Sequence, residues 1–179
     1  MAIKATPMLK FLHIVAWIVF IGLCINTGTV LFTYILSMFF YPEAAKNMLL
    51  GLDLSALRNE DHVHYSIVSI GIVIVLALKA WIFYLILLVF KRINYTSPFS
   101  ATVGKLFKTM GILSFISGLL SIELVMHAKG YAKMGFTFPH LTDHIGDGTA
   151  FLFFAGVLYF VSLLFAKGIE LQEENELTV

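Results

Sequence analysis

Residues 67–90 read IVSIGIVIVLALKAWIFYLILLVF, a run with a single charge, Lys79, and no proline. Membrane hydrocarbon is about 30 Å thick, and a helix needs roughly 20 apolar residues to cross it. The run has that length, lacks the period-two alternation of a barrel strand, and is apolar on every side. In lipid a backbone must satisfy its own hydrogen bonds, so a transmembrane helix is the reading.

Three further stretches share this character, at about 8–40, 107–126 and 150–166. The first is overlong and interrupted by Asn26, Thr27, Gly28 and Thr29, so it is expected to tilt, bend or overhang the bilayer. The fold class follows as all-α, an integral membrane bundle of four transmembrane helices. No polar linker divides the chain, and residues 1–179 read as one domain with a short tail at 167–179.

Composition agrees. Hydrophobic residues make up 59% and charged residues 13%, against about 25% charged in soluble domains, and the mean hydropathy is +0.90. A net charge of +1 with no long basic run excludes the footprint of direct nucleic-acid binding. The single cysteine, Cys24, rules out an internal disulfide or a CxxC site. The apolar stretch after Pro7 is too long for a cleavable signal peptide and reads as a retained first helix.

Lysine and arginine are held preferentially on the cytoplasmic side of short loops. Lys4, Lys10, Lys91, Arg92, Lys105, Lys108 and Lys167 fall on one side, and Lys46, Arg58, Lys129 and Lys133 on the other. Both termini are therefore expected in the cytoplasm. The external segment 41–64 mixes Leu49, Leu50, Leu52, Leu54 and Leu57 with charges, which suits a short interfacial helix or an ordered cap. Ser100 offers an N-cap for the third span. Glycines and Pro139 make 129–148 irregular.

Polar groups at membrane depth are expensive and direct attention to themselves. Lys79 lies near the middle of the second span, and Glu123 is the acidic residue inside a predicted span. They either pair across the bundle, or Lys79 snorkels or faces a polar cavity while Glu123 meets His127 one turn along. With Asn26 and Thr29 they form the set a small transporter or ion-handling protein would use. Gly111, Ser114, Gly118 and Ser121 recur at spacings of three and four, a small-residue stripe on which another helix can pack closely. Packing within one chain is expected ahead of dimerisation, and a homo-oligomer is left open.

Five histidines fall on or near the external side. His62, His64, His140 and His144, with Asp61, Asp143 and Asp147 nearby, are the candidate metal ligands. His140 and His144 would share a face in a helix, and His62 and His64 in a strand. The spacing matches no zinc-enzyme motif, and a surface or capping role is the simpler expectation. His13 and His127 lie at opposite ends of spans, which does not suit haem, and no cofactor is expected. There is no nucleophile elbow, phosphate loop or carboxylate pair, so the expectation is a protein that is not an enzyme.

The chain closes on the acidic, amphiphilic run KGIELQEENELTV, residues 167–179. Glu170, Leu171, Glu173, Glu174, Asn175 and Leu177 could dock a basic or apolar partner groove, or simply extend the last helix into solvent. With the loop phrase SPFSATVGKLF and the run AGVLYF, this ending resembles the bacterial membrane family catalogued as domain of unknown function 2975. The likeness is expected to cover all four spans. It implies a four-helix protein of the bacterial inner membrane, encoded beside a small helix-turn-helix regulator, and so one half of a regulatory pair. The leading expectation is thus a sensory or regulatory protein that docks a cytoplasmic partner. A transporter and an external metal-binding protein are the alternatives.

Overall fold

The computed structural model describes residues 7–93 and 99–177, with side chains through 174. Among them are α1 (Pro7–Phe39), a 3-10 helix (Pro42–Asn47), α2 (Ser55–Glu60), α3 (His62–Arg92), α4 (Ala101–Ala132), α5 (Leu141–Ile145) and α6 (Gly148–Leu177), with no strand. The four long helices are each long and apolar enough to cross a membrane. α3, α4 and α6 outrun the stretches read from the sequence, because their polar ends continue the helix beyond the apolar run, while α1 matches its stretch to within one residue at each end.

The helix ends have local causes. Pro7 opens α1, where a missing N–H is harmless. The Asp61 carboxylate caps α3, accepting from the Val63 and His64 amides at 3.0 and 3.1 Å. Ser100 caps α4 as expected, accepting from the Val103 amide at 3.3 Å. Lys91 and Arg92 sit in the last turn of α3, where cations favour the helix dipole. The polar group in α1 does not break it: Thr27 and Thr29 donate to the Leu23 and Ile25 carbonyls at 2.7 and 2.9 Å, so their hydroxyls are satisfied within the helix.

The long helices pack in series, α1 on α3, α3 on α4, and α4 on α6. His13 stacks on Phe90 and Phe20 meets Tyr84 between α1 and α3. Phe165 meets Phe99 and Phe107. These contacts gather the start of α1, the end of α3, the start of α4 and the latter part of α6 at one end, here the terminal end. Segments 40–61 and 133–140 lie at the other, the cap end, where Gly51 approaches His140.

Burial is deepest at the cap end. Met48, Leu52, Leu54 and Leu57 are buried against Tyr65, Val68, Ile72 and Ile145. Of the two readings open for 41–64, the ordered cap is the one formed. The Tyr65 hydroxyl hydrogen-bonds Ser37 of α1, and Arg58 Nε donates to the Ser37 carbonyl at 2.8 Å. Water drives this burial at about 1.5–3 kcal/mol per large side chain. Between helices in lipid that drive is missing, and apolar side chains such as Ile18, Phe153 and Phe160 face outward.

The small-residue stripe lies inside the chain. Gly111, Ser114, Gly118 and Ser121 are all buried on α4. A Cβ on Gly111 would come 3.3 Å from the Ala155 carbonyl oxygen, and one on Gly118 2.9 Å from that of Gly148. This close approach fixes α6 on α4, as expected of packing within one chain.

Candidate functional site

The fourth span is discontinuous. His140 adopts a left-handed conformation (φ 59°), α5 follows for one turn and a half, and Gly146 at φ 78° ends it. After Asp147, α6 starts afresh: the Asp147 carboxylate accepts from the Thr149 amide and hydroxyl at 2.9 and 2.6 Å. Gly148 lies against Gly118 of α4. At 1.5 Å per residue that is about 20 Å below the cap end of α4, so α6 begins well inside the bundle.

Irregular backbone at such depth is tolerated only where protein or a cavity satisfies it. The break frees the carbonyls of His144 and Ile145, and two side chains meet them. Lys79 Nζ donates to the His144 carbonyl at 2.8 Å, and Ser121 Oγ to that of Ile145 at 3.2 Å. Lys79 also stands over the Phe151 ring, 5.3 Å from its centre. A Cβ at position 146 would lie 3.2 Å from Nζ, so glycine there provides both the backbone turn and the room for the ammonium.

The Lys79–Glu123 contact, one of the two arrangements the sequence leaves open, is replaced by this one. Successive residues turn by about 100° on a helix, so Glu123 is about 200° from the buried Ser121 and is exposed on the far side of α4. Glu123 forms no ion pair with Lys79 or His127 among the described residues. Asn26 and Thr29 are partly buried on α1, and the Thr29 hydroxyl is taken up by its own helix.

The metal-ligand candidates do not converge: among the described residues no three His, Cys, Asp or Glu side chains are placed to hold an ion. His62 and His64 begin a helix rather than a strand, and so point apart; His62 is exposed. His64 Nδ1 meets the Asp61 carboxylate at 2.5 Å, and its ring stacks on His127 and lies 4.9 Å from that of Tyr131. His140 precedes α5 instead of joining it, so it shares no helix face with His144; its Nδ1 meets Asp143 at 2.8 Å. His144 serves the site through its main chain.

Hydrogen bonding lowers the Asp61 carboxyl pKa below its usual value of 3.8. The His64 amide is the largest cause, followed by the His64 ring.

The tail residues continue α6. Lys167 pairs with Glu170 at 2.7 Å, and Glu170, Leu171, Glu173 and Glu174 are exposed. Asn175 and Leu177 lie on the helical backbone, but their side chains fall outside the described residues. A cavity of about 440 Å³ lies beside this extension, lined by Phe99, Leu164, Lys167, Gly168, Leu171 and Gln172.

A family model described as "Protein of unknown function (DUF2975)" matches residues 49–179. The chain belongs to that family. The match takes in the cap from residue 49 onward and the last three long helices, and it begins after α1 rather than covering all four spans as the resemblance suggested. No curated protein and no solved structure matches the chain. As a member of this family with four helices apolar and long enough to span lipid, it is a multi-pass membrane protein of a family without an assigned activity.

The sequence reading missed Arg58, Tyr65, Phe151 and the role of Gly146. Only Gly146 carried a signal, a glycine beside the Asp147-x-Thr149 capping pattern, and that signal was read as general irregularity.

Proposed function

We propose that this protein is a non-enzymatic regulatory or sensory component of the bacterial inner membrane, which docks a cytoplasmic partner on the end of α6 and the start of α4. A small helix-turn-helix regulator is the partner class that the family resemblance implies. The supporting observation is the continuation of α6 as a single helix past Ala166, carrying exposed Glu170, Glu173 and Glu174 with Leu171 on the same extension. A bilayer takes up about 20 helical residues, and α6 has 30, so its last turns stand clear of lipid. An acidic, partly apolar helix next to an apolar cavity suits a partner that presents a basic or apolar groove. The bias of Lys91, Arg92, Lys105 and Lys108 toward this end favours the cytoplasm as its compartment.

The test compares the full chain with one ending at residue 169, crosslinked in native membranes. Both should insert, and the helix-turn-helix protein should be recovered only with the full chain. Equal recovery from both would remove the docking role.

A second reading, a small carrier, draws on one observation: discontinuous membrane helices line substrate sites in transporters, and the fourth span is broken beside Lys79. Solute flux in liposomes that is unchanged by Lys79→Met would count against it.

A further inference from the structure

Lys79 has more hydrogen-bonding capacity than the residues around it use. An ammonium carries three N–H donors; one reaches the His144 carbonyl, and the Phe151 ring covers part of the group. No carboxylate among the described residues forms an ion pair with it. Next to it is a cavity of about 250 Å³ between α1, α3 and α6, lined by Val19, Leu23, Phe83, Phe151 and Phe154 as well as Lys79 itself. Lys79 is the charged residue in an otherwise apolar lining.

A cation held at membrane depth attracts an anion, while apolar walls favour hydrocarbon. We propose that this cavity binds a single-chain amphiphile of the free fatty acid class, with the carboxylate accepting from Lys79 Nζ and the acyl chain lying between α1 and α6. A carboxylate matches the donors that remain, and a bare inorganic anion would leave the apolar walls unused. A phospholipid suits the site less well. Its phosphate is anchored at the interface, whereas Lys79 is about 20 to 25 Å from either end of α3 by the helical rise. The cavity, at about 250 Å³, is smaller than the roughly 300 Å³ at which drug-sized sites begin, so it takes the carboxylate end of one chain and not two chains, the remainder lying along the groove between α1 and α6. This inference is independent of the docking role of α6.

The experiment uses the full chain in nanodiscs of zwitterionic lipid at near-neutral pH. A diazirine-bearing palmitic acid and the matching palmityl alcohol are photolysed in parallel, and the labelled residues are mapped. The acid should label the stretches around 19–23 and 151–154 about tenfold more than the alcohol does, the factor expected of a hydrogen bond to a charged group, and unlabelled palmitate should compete. Lys79→Met should reduce acid labelling to the level of the alcohol, and Leu23→Phe, which fills the cavity and keeps the lysine, should reduce both. Equal labelling by acid and alcohol in the wild-type chain overturns the proposal, and that comparison requires no variant to fold. Preferential labelling at the same residues by a diazirine-bearing phosphatidylglycerol overturns the single-chain assignment.

Discussion

Gly118 and Gly148 meet backbone to backbone: a Cβ on Gly148 would lie 2.6 Å from the Gly118 carbonyl oxygen, and one on Gly118 would lie 2.9 Å from that of Gly148. The Ile122 and Leu152 side chains crowd the same two positions, but the carbonyl on each side is main chain, which cannot rotate away as a side-chain tip can. Gly148→Ala should therefore destabilise the chain by about 1–3 kcal/mol, the usual penalty for overpacking. Gly130→Ala should be close to neutral, since nothing lies within 4 Å of that position. Thermal unfolding in detergent, followed by circular dichroism, measures both.

Removing the Lys79 ammonium leaves the His144 carbonyl without its donor. Lys79→Met should cost about 1–3 kcal/mol, the price of an unsatisfied buried acceptor. The loss should be local, with faster amide exchange at 146–151 and little change in α1. Ser121→Ala should act in the same direction and more weakly, because its bond is the longer one at 3.2 Å.

The cap should respond to core truncation as a water-soluble domain does. Leu54→Ala or Leu57→Ala, both almost wholly buried, should cost about 2–5 kcal/mol. Phe160→Ala on the outward face of α6 should have a much smaller effect, because lipid replaces the lost contacts. Chemical unfolding in one fixed detergent, run on all three variants, tests the contrast.

Acid should loosen the start of α3. The Asp61 carboxyl has its pKa depressed below 3.8 in the folded chain. Its contribution is present above the unfolded value and is lost as pH falls through the folded one, so the effect belongs to the range below about pH 4. Amide exchange at Val63 and His64 should rise in that range. Asp61→Asn, which retains a capping oxygen without the charge, should flatten this dependence.

How much of this could be read beforehand differed from residue to residue. The spans were legible because length and apolarity alone decide them, and so was the stripe from Gly111 to Ser121, whose spacing is that of a single helix face. The Ser100 cap was legible because a hydroxyl directly before a helix has one local use. The partner of Lys79 was not, because it is a main-chain carbonyl: every residue carries one, and only the three-dimensional break at Gly146 determines which is freed. The placement of the histidines was not legible for a related reason: face-sharing depends on the secondary structure, and His140 is left-handed while His62 and His64 open a helix. The docking role proposed for α6 was suggested by the charge and apolar pattern of residues 167–179, and its compartment by the distribution of lysine and arginine.

Because the long helices pack as α1 on α3, α3 on α4 and α4 on α6, each beside its neighbour in the chain, the molecule can be assembled in the order in which it is synthesised. Lys79 is the exception. Its acceptor lies 65 residues later, so while those residues are being added the second span carries an ammonium whose carbonyl partner has not yet been made. The Lys79 bond can therefore close only after α4 has been made, which sets it among the last contacts of assembly.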